Sequence, residues 1–430
     1  MYEYQKQNIV IVGAGMAGLL NAIALRKALP MAKISIYEKA SELKGLGGAL
    51  MLWPTGIKRL RDLGLSNIVD ELDVKINYTT MYDDENKLLY KGDLNKFYEK
   101  TGDAIITVER AKLQALLLKA AQERNIDIHL NHTYVDVFES SGTGTTVTFT
   151  DNAKGKNIQV NADLVIAADG ANSAIRKEKI EKDATLEYTG LCVWIGILDK
   201  GTVDFPLDQT YFQPWHNAGV WICPLNDGRQ GFYAYYRMEE KDFKPVEQGK
   251  KLAQLKELYN DKLNEQSPFN AKILNAPENE HTYAGPTYEV KGLTTWISAG
   301  GRILLTGDAA HATSPTHGYN TSSAADDAYV LMESIKHHQG NILAAVKDYE
   351  RVRKPVAEKF LAQEANDRNV VFTGDKTFAM QRNQVIKTLD PNDPFSEWRV
   401  LILDNSMEKQ LAELKQPTVV NNNNLMKNKK

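Results

Sequence analysis

The stretch "NIVIVGAGMAGLLNAIAL", Asn8 to Leu25, constrains this chain more than any other. An apolar run, Ile9 to Val12, enters Gly13-x-Gly15-x-x-Gly18, and an apolar helical pattern leaves it. "KISIYEK" follows as a second strand and reaches Glu38, about 20 residues beyond the last glycine. A lone GxGxxG is common. Strand before, helix after and an acidic residue at this distance together read as a βαβ unit that holds a dinucleotide. Gly13 permits the tight turn, Gly15 lets backbone approach a pyrophosphate, and Gly18 lets helix and strand pack closely. The helix N-terminus supplies N–H donors for the phosphates, and Glu38 accepts from a ribose. The plainer alternative is a βαβ unit that binds nothing.

The fingerprint leaves open whether the dinucleotide is FAD or NAD. Two further stretches bear on this. "ADLVIAADGANSAIRK", Ala162 to Lys177, is an apolar strand ending in Asp169-Gly170 before a helix start. "LLTGDAAHATSPTHGYNTSSAADDAYVL", Leu304 to Leu331, repeats the design with Gly307-Asp308. A carboxylate at a strand end suits a polyol chain running past the carboxyl edge of an open α/β sheet, where ligands of such folds sit.

At 430 residues the chain has room for a large core and suggests two or three domains. With 43% apolar and 25% charged residues it reads as soluble and globular. A net charge of −3 gives no reason to expect nucleic acid or an anionic membrane as partner. Cys192 and Cys223 are the two cysteines, which suits a reducing cytoplasm. Neither a secretory signal pattern nor an apolar run of about 18 residues is present, so no membrane association is expected. No His/Cys/Asp cluster has zinc spacing, so no metal is expected. The pattern leaves the oligomeric state open.

Taken in order, Gly13/Gly15/Gly18 with Glu38, Asp169-Gly170 and "GDAAH" (Gly307 to His311) resemble the single-component FAD-dependent aromatic monooxygenases. These are the enzymes of the para-hydroxybenzoate hydroxylase type, with salicylate and urate hydroxylases and tetracycline-inactivating enzymes among them. "LGGALMLWPTGIKRLRDLGL" (Leu46 to Leu65), "VERAKLQALL" (Val108 to Leu117) and "YERVRKP" (from Tyr349) are similar to that family too. The resemblance spans roughly residues 8–357.

The resemblance implies an α/β fold: a Rossmann-like FAD-binding domain of the glutathione-reductase type, an inserted β-sheet substrate domain and C-terminal helices. The FAD domain is expected at 1–75, 101–180 and 282–355, and the substrate domain at 76–100 and 181–281. A helical segment is expected at 356–415, with an apolar patch around Phe395 to Leu403, and a disordered tail at 416–430. FAD is assigned to Gly13, Gly15, Met16, Ala17, Gly18, Glu38 and Lys39, then to Arg110, Asp169 and Gly170. Gly307, Asp308, Pro315, Gly318 and Asn320 complete that set. The helix expected from about Thr321 to His337 points its N-terminus, worth roughly half a positive charge, at the flavin. Asp326 and Asp327 are expected to complement the same dipole.

Two departures from the family pattern stand out. The usual P-x-x-G-x-G-x-N reads Pro315-Thr-His-Gly318-Tyr-Asn320-Thr-Ser322, so Asn320 occupies the second glycine position and is expected in a left-handed turn. Lys44 stands where relatives often carry arginine, and the loop from Lys44 to Ala49 is the place to look for flavin movement.

With one fingerprint only, NADPH or NADH is expected as a transient surface-bound donor and O2 as co-substrate. Oxygen would pass through a flavin C4a-hydroperoxide to an aromatic or polycyclic small molecule. A related FAD oxidoreductase without oxygen insertion, or a non-catalytic flavin-binding protein, is the alternative. Strand alternation puts Tyr211, Gln213 and Trp215 on one face of their strand, and Phe232, Ala234 and Tyr236 on one face of another strand. Tyr211, Gln213, Phe232 and His317 are the substrate candidates, and His317 is also the catalytic candidate. His311 is expected to orient its loop.

Overall fold

Three strands of the first sheet are apolar along nearly their whole length, and a strand of that kind needs cover on both faces. Asn8–Val12 forms the centre of a five-stranded parallel sheet. Its order is Ile303–Leu305, Leu164–Ala167, Asn8–Val12, Lys33–Tyr37 and Asp127–His129. Each neighbouring pair runs parallel, with Ile9 opposite Leu164 and Ile34. The helices Met16–Ala28 and Asn320–His337 pack on this sheet through buried small and aliphatic residues. The computed structural model describes residues 6–43, 47–72, 74–140, 144–259, 268–291 and 293–392.

A second sheet has seven strands, in the order Tyr283–Lys291, Thr185–Leu198, Gln230–Arg237, Ala218–Pro224, Gln209–Pro214, Tyr78–Tyr82 and Leu88–Asp93. All its pairings are antiparallel except the one between Gln209–Pro214 and Tyr78–Tyr82. The expected hairpin at "LNDGRQ" is present, closed by Leu225 N–H donating to the Arg229 carbonyl at 2.9 Å. On one face of this sheet Tyr211, Trp215, Phe232 and Trp194 share a core with Leu252, Leu255 and Tyr259 of the helical stretch after it. The other face is turned toward the first sheet.

Two expected boundaries shift. Tyr283–Lys291 pairs with Thr185–Leu198, so the chain returns to the first sheet after residue 291 and not at 282. The break expected at 355 falls inside a single helix, Ile342–Val371, which carries Pro355 within it. That ring removes one backbone donor, yet helical geometry continues for four more turns' worth of side-chain anchors, through Phe360, Glu364 and Arg368. A further helix spans Lys376–Ile386. The apolar patch at 395–403, the tail at 416–430 and Lys44 lie outside the described residues.

Candidate active site

A cavity of about 570 Å³ opens where the carboxyl ends of the first sheet meet the second sheet. Gly15, Met16 and Ala17 form one end of its wall. A Cβ placed on Gly15 would meet nothing within 4 Å, whereas one on Gly18 would lie 2.0 Å from the Gly13 carbonyl oxygen. Gly13 is equally tight, with the Ala168 carbonyl oxygen 2.3 Å from its Cβ position. So Gly13 and Gly18 are required by packing and Gly15 by whatever enters the open space. The helix behind it has no acidic residue in its first turn and no side-chain cap, which leaves its N–H donors for an anion.

Glu38 and Lys39 lie outside the cavity wall. The Glu38 carboxylate braces the turn, accepting from Ala14 N–H and Ala40 N–H at 2.9 Å each. Lone pairs remain on both oxygens for a ribose hydroxyl. Lys39 is exposed.

The two Gly-Asp motifs differ. Gly170 lines the cavity, but Asp169 does not. Asp169 Oδ2 accepts from Ala174 N–H at 3.0 Å and Ile175 N–H at 3.4 Å, so this carboxylate caps the turn after its strand. Burial raises its pKa, against the lowering bonds from Ser173 and the backbone. Asp308, in contrast, lines the cavity and is exposed. Desolvation by the surrounding wall raises its pKa despite the opposing pull of His311 and Arg110. Arg110, the first residue of the helix Arg110–Glu123, lines the same cavity, and its stem runs beside Gly47.

Asp327 explains the turn at Gly307-Asp308. Its Oδ2 accepts from Gly307 N–H at 2.8 Å and Thr306 Oγ1 at 3.2 Å, and it pairs with His311 Nε2 at 2.7 Å. Its Oδ1 accepts from Arg353 Nε at 2.8 Å. Burial alone would raise its pKa, but His311 and Arg353 hold it well below the ordinary carboxylate range. His311 orients its loop, as expected. Asp326 is likewise consumed, by Arg59 Nε at 3.1 Å and the Tyr319 hydroxyl at 2.7 Å. The expectation that these aspartates complement the helix dipole is therefore corrected. They sit in the second and third turns, engaged sideways, and the effect of a dipole fades beyond the first turn.

The helix Asn320–His337 begins within one residue of its expected start and has no acidic residue in its first turn. Asn320, Thr321 and Ala324 line the cavity. Asn320 is helical, not left-handed; Gly318 alone in this turn has a positive φ, +63°. The asparagine side chain instead donates Nδ2–H to the Thr313 carbonyl at 3.3 Å, and its buried Oδ1 has no partner. Pro315 and Gly318 also line the cavity.

The residues present fit a dinucleotide. Open space in front of Gly15, a free helix N-terminus, the cavity-facing Asp308 carboxyl and the orphaned Asn320 Oδ1 all await polar partners. A match to the FAD binding domain family covers residues 6–364. The chain belongs to this family.

Relatives and solved structures agree with that placement. The FAD-dependent urate hydroxylase of Mycolicibacterium vanbaalenii is 28% identical over 346 residues, 80% of this chain and 84% of that protein. The aurachin C monooxygenase/isomerase of Stigmatella aurantiaca is 25% identical, covering 82% and 87%. The structure of Klebsiella pneumoniae HpxO complexed with FAD and uric acid shares the fold, with a TM-score of 0.80 at 23% identity, covering 94% and 97%. Among the described residues no helix is long and apolar enough to cross a membrane. The protein is a single-component FAD-dependent monooxygenase, and FAD is its cofactor.

The remaining wall of this FAD-dependent enzyme is aromatic. Phe212, Trp221, Tyr233 and Tyr235 line the cavity from the second sheet, and Phe372 closes it from beyond the long helix. Tyr235 and Phe372 stand 5.3 Å apart between ring centroids, Trp221 and Tyr233 5.5 Å. Tyr211, Gln213 and Phe232 are on the opposite face and do not line the cavity. The Tyr211 hydroxyl lies 3.0 Å from Asn86 Oδ1 and 2.9 Å from Gln213 Oε1, sharing its one proton between them, and Gln213 Nε2 donates to the Asp83 carbonyl at 2.6 Å. The alternation holds, but the cavity takes the other face, with Phe212, Tyr233 and Tyr235. His317 is buried and lines the cavity, with Nε2 3.4 Å from Asp367 Oδ2. Gly47 and Gly48, within "LGGA", add to the wall beside Arg110. Asp367, Arg368 and Phe372 carried no local signal.

Proposed function

We propose that this enzyme uses NADPH or NADH and O2 to insert one oxygen atom into an aromatic or polycyclic small molecule. The observation that carries this reading is the aromatic wall of Phe212, Trp221, Tyr233, Tyr235 and Phe372 on the same cavity as Asp308 and the Asn320 helix start. Flat ring faces of this kind suit an aromatic guest. FAD, when bound, supplies the acceptance of hydride and the activation of oxygen.

The chain's own residues supply position and environment. Asp308, Gly15 and the two helix starts orient the cofactor's polyol and charged groups. Tyr233 donates its hydroxyl to the Ala49 carbonyl at 2.6 Å and Tyr235 to the Pro315 carbonyl at 3.4 Å, which ties the substrate wall to the cofactor loops. The aromatic wall excludes water, and His317 is the candidate for orienting a substrate or taking a proton from it. A nicotinamide donor has one fingerprint too few for a domain of its own and therefore binds transiently. The buried free thiols Cys192 and Cys223 suit the reducing cytoplasm.

A screen of aromatic and fused-ring compounds for accelerated NAD(P)H oxidation, with product mass recorded, tests the reading. Acceleration together with a product one oxygen heavier supports it. Substrate oxidised without added oxygen points to the related oxidoreductase chemistry.

A further inference from the structure

We propose that Asp367 is a specificity-determining residue, whose cavity-facing carboxylate oxygen selects ring compounds that present an N–H donor. The inference rests on the functional reading above and names the substrate class that site takes.

Asp367 is only 8% exposed and lines the cavity beside His317 and Arg368. Its Oδ1 is satisfied within its own helix, accepting from Gln363 Nε2 at 2.7 Å and Asn366 Nδ2 at 3.3 Å. Its Oδ2 is buried without a hydrogen bond; His317 Nε2 stands 3.4 Å away, close enough for attraction but misaligned. A buried carboxylate oxygen left unsatisfied is costly unless a donor arrives.

The neighbouring cation does not fill this role. Arg368 gives Nη1 to Glu364 at 2.5 Å and Nη2 to Glu289 at 2.9 Å. Glu364 also accepts the hydroxyls of Thr313, Ser314 and Thr316, which pins the cofactor-side loop to the long helix. This corner thus holds Arg368 against Glu364, Glu289 and Asp367, with Lys291 reaching Glu289 from the surface at 2.9 Å. The excess is negative. Burial raises the Asp367 pKa, with Glu364 adding to it, as expected for a carboxyl that lacks a matched partner. Residues 365–372 lie past the end of the family match at 364, and Asp367, Arg368, Val371 and Phe372 among them line the cavity.

Ring pairs of one shape provide the test: indole with benzofuran, carbazole with dibenzofuran, 4-quinolone with chromone. Each is titrated calorimetrically into the FAD-loaded protein. In the pair whose size suits the cavity, the N–H member should bind roughly tenfold tighter or more. Asp367→Asn should shrink that ratio several-fold, and Asp367→Glu should restore part of it, both with unchanged FAD content. A purely structural carboxylate would leave the ratio alone. Equal binding within every pair, binding by none, or a ratio unmoved by Asp367→Asn overturns the inference. An intact, Asp367-dependent preference without any oxygenated product overturns the functional reading instead and upholds the recognition.

Discussion

Arg353 Nε donates to Asp327 Oδ1 at 2.8 Å, and both side chains are shut away from solvent. The other oxygen of the same carboxylate holds Gly307 N–H and His311. One buried group therefore fixes the turn that carries Asp308. Asp327→Asn removes the buried carboxylate that Arg353 Nε pairs with and should cost about 3–5 kcal/mol of stability, read as a large drop in Tm.

The same carboxylate sets an acid limit. Its pKa is depressed in the folded protein, so its contribution is full above the unfolded value of about 4 and is lost as pH falls toward the folded one. Denaturant titrations from pH 7 downward should show stability falling below about pH 4. The fall attributable to this group should vanish in Asp327→Asn.

Two glycines of one fingerprint should behave differently. Gly15→Val places methyl groups in the open space before the helix N-terminus, and the apoprotein should fold while FAD is lost. Gly18→Ala puts a methyl 2.0 Å from the Gly13 carbonyl oxygen and should lower Tm. Gly15→Val protein that keeps its yellow colour and FAD content would show the open space to be incidental.

Asp308→Ala removes a desolvated carboxyl, and unlike Asp327 it holds none of the fold's ion pairs among the described residues. FAD content should fall strongly, while Tm of the apoprotein stays level or rises. Unchanged FAD affinity in the folded variant would count against this carboxylate as a cofactor ligand.

The corrected wall makes a paired prediction. Phe372→Leu should raise KM for the aromatic substrate several-fold with FAD content retained, because ring contact is lost. Tyr211→Phe, on the covered face, should leave KM where it was.

These variants also mark what the sequence shows and hides. The Gly13–Gly18 turn is legible because strand, turn and helix are adjacent in the chain, and each glycine's role is local. Alternation in "QTYFQPW" shows two faces, but only tertiary structure shows that the helices after residue 250 bury Tyr211 and leave Phe212 to the cavity. Asp169 and Asp308 look alike in sequence. They part because one strand end turns its carboxylate back onto the Ala174 and Ile175 N–H groups, and the other is opened by Asp327 from 20 residues away. Asn320 was read as a turn residue because its neighbours are, yet it is the first residue of the helix. Asp367 and Phe372 reach the cavity through a helix that starts at Ile342 and extends past every motif.

The central claim is the insertion of one atom of O2 into a ring compound bound between Asp308 and the aromatic wall. With 18O2, NAD(P)H and a compound that accelerates its oxidation, mass spectrometry of the product is the most direct measurement. The account predicts one oxygen-18 atom in the hydroxylated product, the second leaving as water, and one NAD(P)H consumed per product. Product without oxygen-18, or the label recovered only in peroxide and water, would contradict it.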